Sequence, residues 1–325
     1  MGRLRFEEAA ADLLNDYRTN GKRTAKDVQR RIDLHLKPYF GGRRMASITS
    51  SDVRAYIAER QKQARVVGSG ERQREKPVSA GEMNRELTVL KRMFNLARQT
   101  GKLLIGPHVP MLKERNVRSG FFEHEQFESV RTRLPEYACP IVTFAYITGW
   151  RINSEVLPLQ WRQVDLVAGE IRLDPGTTKN GEGRVFPLTR ELRALMEAQQ
   201  DRRDALRDRG TICPWIFQHD GRRVKSFRWS WERACRLAGC PGRLLHDLRR
   251  TAVRNLVRAG IPERVAMQMT GHKTRSVFER YNIVSDGDLR SAARRLDEAA
   301  LSRGTGTISG TVRGKASNAS RTKSP

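Results

Sequence analysis

A chain of 325 residues with 62 lysines and arginines against 36 acids carries a formal charge of +26 and a pI near 10.9. Hydrophobic content of 38%, with no apolar run near the roughly 18 residues of a spanning helix, excludes a helical membrane protein. The opening M-G-R-L-R-F-E-E lacks the apolar core of a secretory leader, so the expectation is a cytosolic protein. The cation excess favours a polyanionic partner, nucleic acid first; a ribosome-associated or merely solvated basic surface is the alternative. Residues 1–112 hold 23 basic and 12 acidic side chains and the remainder 39 and 24. Both halves are basic, so both are expected to touch the polyanion, as in a clamp.

In chain order, the first hundred residues read as four helices. Leu13, Leu14 and Tyr17 mark the first. Val28, Ile32 and Leu36 recur every four residues in the second, which Pro38 and Gly41-Gly42 are expected to end. Val53, Tyr56 and Ile57 mark a third. In the fourth, Ser79 and Glu82 form an S-x-x-E capping box ahead of Met83, Leu87, Leu90 and Phe94 on one stripe. Val66 to Val78, polar and Gly-containing, reads as a loop. A small helical bundle follows, spanning residues 1–112, with basic loops able to lie along phosphates.

Residues 113–120, with Lys113, Arg115 and Arg118 after Pro107 and Pro110, read as an interdomain linker. The second domain, residues 121–302, opens with helices at E-H-E-Q-F-E-S-V and at Ile141 to Ile147. V-D-L-V, E-I-R-L and R-V-F-P, separated by Ala168-Gly169 and Lys179-Asn180-Gly181, then read as a three-stranded antiparallel sheet. Helices resume at Arg190 and run to about Ala300. From Arg303 to residue 325 the chain is Gly, Ser, Thr and five basic residues without an acid, which predicts a disordered basic tail. The fold class is therefore mainly α with a small antiparallel sheet (α+β). Cys139, Cys213, Cys235 and Cys240 make no C-x-x-C pair. Zinc on Cys235, Cys240 and His246 is conceivable, but that spacing matches no usual pattern, and the cysteines read as reduced, mostly buried thiols.

The chemistry concentrates between Leu245 and Tyr281: L-H-D-L-R-R-T, an apolar helix, T-G-H, then R-Y-N. His246 and Arg249 are three apart, so on a helix they reach the same small anion. His272 follows the helix-ending Gly271, and Tyr281 lies nine residues on. Guanidinium forks match phosphate oxygens and a phenol can act as nucleophile, which suits phosphoryl transfer through a phosphotyrosine.

This stretch resembles the H-x-x-R, G-H and Y boxes of the tyrosine recombinases, the phage-integrase family of site-specific DNA recombinases. Upstream, T-G-W-R-I-N-S-E resembles the family's first arginine box and nominates Arg151, although Glu155 stands four residues after it where the pattern has an acid three after. T-T-K-N-G-E-G-R resembles the hairpin of the catalytic lysine and nominates Lys179, with the Asn180-Gly181 turn supporting a hairpin independently. The resemblance covers residues 120–300 and implies a catalytic domain preceded by a helical core-binding domain. It implies that Tyr281 attacks the scissile phosphate to give a 3′-phosphotyrosine and a 5′-hydroxyl. Arg151 and Arg249 then neutralise the phosphate oxygens, Lys179 protonates the leaving oxygen, and His246 and His272 hold the phosphate and assist proton movement.

One ester replaces another of similar energy, so no cofactor, ATP or metal is expected. The implied partner is double-stranded DNA at attachment or recombination sites, bound as a homotetramer with accessory DNA-bending proteins and with no membrane. The implied location is the cytoplasm, at the nucleoid. The resemblance is greatest to a phage or genomic-island integrase. A chromosome-dimer resolvase is the nearest alternative among enzymes, and a catalytically silent DNA-binding protein is the rival from another class.

Overall fold

A computed structural model describes residues 3–67, 73–114, 120–176, 181–281 and 286–304. Most of the linker (115–119), Lys179 with Asn180, and residues 305–325 of the tail lie outside the described residues. The chain divides into two compact units, Met1–Arg118 and Ser119–Pro325.

In the first unit, α1 (Phe6–Thr19) buries Phe6, Ala9, Ala10, Leu13, Leu14 and Tyr17 on one face. The spacing of three and four is that of an amphipathic helix, and this face packs on α5. The second predicted helix departs from expectation. α2 (Ala25–Arg31) runs through a π-turn at Ile32–Leu36 straight into α3 (Lys37–Phe40), so Pro38 does not end it. The turn passes Lys37 N–H to the Ile32 carbonyl, and this wider register admits a proline that has no N–H of its own. Gly41 ends the helix, donating to the Lys37 carbonyl at 2.8 Å.

α4 (Ser50–Lys62) begins with a capping box in which Thr49 and Asp52 satisfy each other's backbone N–H. The predicted loop after it is a hairpin instead: β1 (Ala64–Val67) pairs antiparallel with β2 (Arg74–Pro77). Polarity hid it, because a ribbon exposed on both faces shows no alternation of apolar residues. α5 (Ala80–Gln99) follows, with Ser79 Oγ accepting from Glu82 N. The Glu82 carboxylate pairs with Arg65 at 2.8 Å, so its use is the hairpin and not the reciprocal cap the sequence suggested.

At the centre of this core Glu86 is fully buried, accepting from Tyr56 Oη and from Arg60 Nη2 at 2.6 Å each. A charge so placed needs such partners, since an unpaired buried carboxylate costs several kcal/mol. Burial and the carboxylate together push the Tyr56 phenol far above its usual range.

The second unit begins with α6 (His124–Arg131) and α7 (Cys139–Thr148). α7 is apolar nearly all round and lies in the core with Trp150, Phe186, Phe217, Trp231 and Leu248. Three strands, β3 (Val164–Asp165), β4 (Glu170–Leu173) and β5 (Arg184–Pro187), pair antiparallel in that order. Ile171 faces Phe186 across the β4–β5 register, and both are buried.

α8 (Arg190–Asp208) leads to a two-residue pair that the sequence did not announce, β6 (Gln218–His219) with β7 (Arg222–Arg223). The rest is helical: α9 (Arg228–Leu237), α10 (Asp247–Arg258), α11 (Glu263–Thr270), α12 (Arg275–Glu279) and α13 (Asp286–Gly304). α10 packs on α7, and α11 packs on α10 and β5. This packing brings four separate sequence boxes to one place. The fold is mainly helical with small antiparallel sheets, as the sequence indicated.

Candidate active site

α7 ends at Gly149 in the left-handed conformation, φ +66°. A side chain there would meet Ala252 of α10 at 3.0 Å, so glycine serves both the turn and the close approach of α10. The chain then passes Arg151 and enters a π-turn at Ile152–Val156. The Val156 N–H bonds the Arg151 carbonyl at 3.1 Å and Leu157 N–H bonds that of Ile152 at 2.8 Å, both spanning five residues. The extra residue between Arg151 and Glu155 is thereby absorbed. The fully buried Glu155 carboxylate swings back onto Arg151, accepting from its backbone N at 2.8 Å and from Nη1 at 2.5 Å. Single π-turns of this kind recur at functional sites.

His246 is the N-cap of α10, and Arg249 stands in its first turn with its N–H on the His246 carbonyl at 3.2 Å. Arg249 is 2% exposed. Its Nη1 donates to the Gly149 carbonyl at 2.6 Å and its Nη2 to His272 Nε2 at 3.1 Å. Burial, then Arg151, pulls its pKa down to about 9, so the guanidinium is charged at neutral pH but poorly compensated. Nε of Arg249 and Nε of the adjacent Arg250 are buried with no hydrogen-bond partner among the described residues, while Arg250 Nη1 faces Asp247 Oδ1 at 3.7 Å. Buried donors in this state fit an anion yet to arrive.

α11 ends at Gly271, again left-handed at φ +73°, and this turn presents His272. The tautomer follows from the partners. Arg249 Nη2 can only donate, so Nε2 accepts; Nδ1 therefore carries the proton and donates to Thr270 Oγ1 at 2.7 Å, which in turn donates to the Ala266 carbonyl at 2.7 Å. Burial first, then Arg249 and Arg151, drives the His272 pKa down to about 3. It is a neutral ring at physiological pH.

Tyr281 closes the site just past α12, its N–H on the Phe278 carbonyl at 2.8 Å. Its ring centroid lies 4.7 Å from that of His272, and the carbons of the Arg249 and Arg250 guanidiniums lie 5.8 Å from it. The hydroxyl meets His246 Nε2 at 2.9 Å. Crowding by protein atoms, then Arg249 and Arg250, lowers the His246 pKa although the residue keeps an edge in solvent. A neutral His246 can accept the phenolic proton.

The fold thus gathers Arg151, His246, Arg249, His272 and Tyr281, while Lys179 lies outside the described residues. No group of three metal-ligating side chains occurs among the described residues. Cys235 is buried, its thiol pushed up to about 12, which opposes the thiolate that zinc would need; His246 is turned to Tyr281.

Sequence reading missed Arg184 and Thr270. Arg184 sits on β5 two residues before the buried Phe186, so strand alternation places it inward. That period-2 pattern was the available signal. Thr270 carried none, since its role depends on the loop around His272.

The phage integrase family model matches residues 121–287, and the chain belongs to that family. It is 24% identical over 237 residues to the integrase of Salmonella phage P22, covering 68% of this chain and 59% of that protein. The chain thus spans little more than half the length of that relative. Among solved structures, a Tn1549 transposon integrase in complex with a circular intermediate DNA superposes with a TM-score of 0.68 at 15% identity, over 88% of this chain and 99% of that one. A lambda integrase tetramer bound to a Holliday junction gives 0.60 at 14% identity, over 83% and 78%. The fold is that of these integrases.

Proposed function

We propose that this protein is a tyrosine-type site-specific DNA recombinase that integrates or excises a phage or genomic island. The observation that carries the reading is the Tyr281 hydroxyl held 2.9 Å from His246 Nε2, beside guanidiniums with unmatched buried donors. A scissile phosphate seated against Arg151, Arg249 and His272 meets the Tyr281 oxygen. As the Oη–P bond forms and the P–O5′ bond breaks, His246 takes the phenolic proton and Lys179 gives one to the departing 5′-oxygen. Preorganised cations at the equatorial oxygens are worth a few kcal/mol each. The reverse attack by a 5′-hydroxyl from another strand rejoins DNA, so the cycle consumes neither ATP nor metal.

In this reading residues 1–112 form the core-binding domain, 113–120 the linker, 121–302 the catalytic domain and 303–325 a basic tail. Duplex DNA is the partner and the working unit is a homotetramer, as in the lambda integrase assembly. Accessory bending proteins and a nucleoid location accompany that role.

The test begins by incubating the protein with sheared DNA flanking its gene and recovering fragments that stay attached to protein in denaturant. Sequencing defines a site, from which a nicked duplex is made that traps the cleaved state. Wild type should give a covalent band in EDTA, with ionic strength matched because phosphate contacts make binding salt-dependent. Tyr281→Phe should bind the duplex and give none. An adduct from Tyr281→Phe would move the nucleophile elsewhere; binding without any adduct from wild type would favour a silent DNA-binding protein.

A further inference from the structure

Arg184 closes the T-T-K-N-G-E-G-R segment but no motif gave it a role, and three elements of the site meet on it. Its side chain is 6% exposed on β5. Nη2 donates to Glu155 Oε1 at 2.8 Å, the same oxygen that Arg151 Nη1 reaches at 2.5 Å. Nη1 donates to the Thr270 carbonyl at 2.6 Å, one residue before the Gly271 turn that presents His272. The guanidinium carbon stands 5.6 Å from the Trp150 ring, beside Arg151 in sequence. A methyl group on Gly271 would collide with this guanidinium, so the glycine of the T-G-H segment is fitted to Arg184 as well as to its own backbone. A cleft of about 400 Å³ is lined by Arg184 and His272 together with Glu182, Met267 and Gly271.

The charge arithmetic gives this arrangement a purpose. A carboxylate bonded to Arg151 alone would neutralise it, and a neutralised guanidinium pair attracts a phosphate weakly. Shared between two guanidiniums, Glu155 leaves the trio with a net positive charge while still fixing Arg151 in place. Burying a cation against two others is expensive, and desolvation indeed lowers the Arg184 pKa.

We infer that Arg184 is a positioning residue for phosphoryl transfer: it divides the Glu155 carboxylate so that Arg151 keeps charge for the scissile phosphate, and it sets the turn that carries His272. The inference rests on the phosphotyrosine reading above and adds a member to that site. With Arg184 removed, Glu155 collapses onto Arg151. Misplacement of a group that must meet the phosphate within an ångström costs about 100-fold in rate.

The experiment uses the nicked duplex recovered with the wild-type chain and a second duplex whose scissile phosphate is replaced by an uncharged methylphosphonate. Arg184→Gln should slow adduct formation about 100-fold on the phosphodiester and by less than about tenfold on the methylphosphonate, where no charge needs meeting. In a Glu155→Gln background there is no carboxylate to divide, so adding Arg184→Gln should cost little more than Glu155→Gln alone. Arg184→Lys, which keeps the charge but not the fork, should fall between wild type and Arg184→Gln, and it replaces Arg184→Gln if that variant does not fold. Equal losses on the two duplexes, or losses that add in the double variant, would overturn the positioning role and leave Arg184 as packing. A wild-type chain that carries no DNA fragment through denaturant in the recovery step overturns the phosphotyrosine reading, and this inference with it.

Discussion

At the scale of single residues, the site is a set of cations kept from neutralising one another's purpose. His272 and His246 stay uncharged because burial and the arginines oppose their protonation. This has a consequence for stability. An unfolded histidine titrates near 6.5, whereas folded His272 holds out to about 3. Between those values the unfolded chain binds the extra proton, so stability rises with pH and is lost as pH falls below about 6.5. At pH 5 the His272 share of that loss is about 2 kcal/mol. Asp52, held low by Arg43 and Thr49, gives up its stability only as pH falls through the unfolded carboxylate value near 3.9, so it adds little between pH 7 and pH 5. Urea melts of the second unit's signal should therefore weaken from pH 7 to pH 5, and His272→Asn should remove about 2 kcal/mol of that difference. An identical pH slope in the variant would show that His272 is not the group responsible.

At the scale of elements, the β1–β2 hairpin and α13 both expose what other elements bury. The register sets Arg65 opposite Lys76 and Val67 opposite Arg74, so Arg65, Arg74 and Lys76 share one face. Like charges directly across a ribbon destabilise it, and a two-stranded ribbon is marginal by itself. A row of phosphates would reverse both penalties. Replacing the three by Gln should change the stability of this unit by less than about 1 kcal/mol, since relief of the Arg65–Lys76 repulsion offsets loss of the exposed Arg65–Glu82 pair. The slope of log affinity against log salt on the recovered duplex should fall by about 2 to 3, near 0.9 for each phosphate no longer neutralised. An unchanged slope would place the hairpin away from DNA.

α13 presents Leu289, Leu296 and Leu301 at 62%, 72% and 73% exposure, so these apolar side chains form a stripe that faces solvent in the single chain. Its first turn is tied to the domain through Asp288 and Arg258.

At the scale of the whole molecule, that exposed stripe fits docking on a second copy, which would couple one Tyr281 to its neighbour. Truncation after Ser285 should spare binding of one protomer to DNA yet abolish higher-order complexes and strand exchange. Truncation after Arg303 should remove the tail and leave assembly intact. Native gels on a duplex with a full site decide between them: higher-order complexes from the shorter chain would return α13 to a role within its own protomer.

The sequence alone determined the helical class and the central sheet and nominated five side chains that the fold then gathers, because each of these is written in short-range terms. Amphipathic spacing makes α1 and α5, alternation marks β4 and β5, and H-x-x-R on one helical turn needs no knowledge of the rest. Pro38 and the hairpin at Ala64–Pro77 were misread for the converse reason: a π-turn and a ribbon without an apolar face leave no local periodicity. The tertiary structure alone decided the meaning of Glu155 and Arg184. A carboxylate one residue out of step looks misplaced until a π-turn swings it back, and a strand arginine looks solvated until β5 packs against α11. Both depend on a buried charge finding partners 29 and 86 residues away in sequence, and no local pattern encodes that distance.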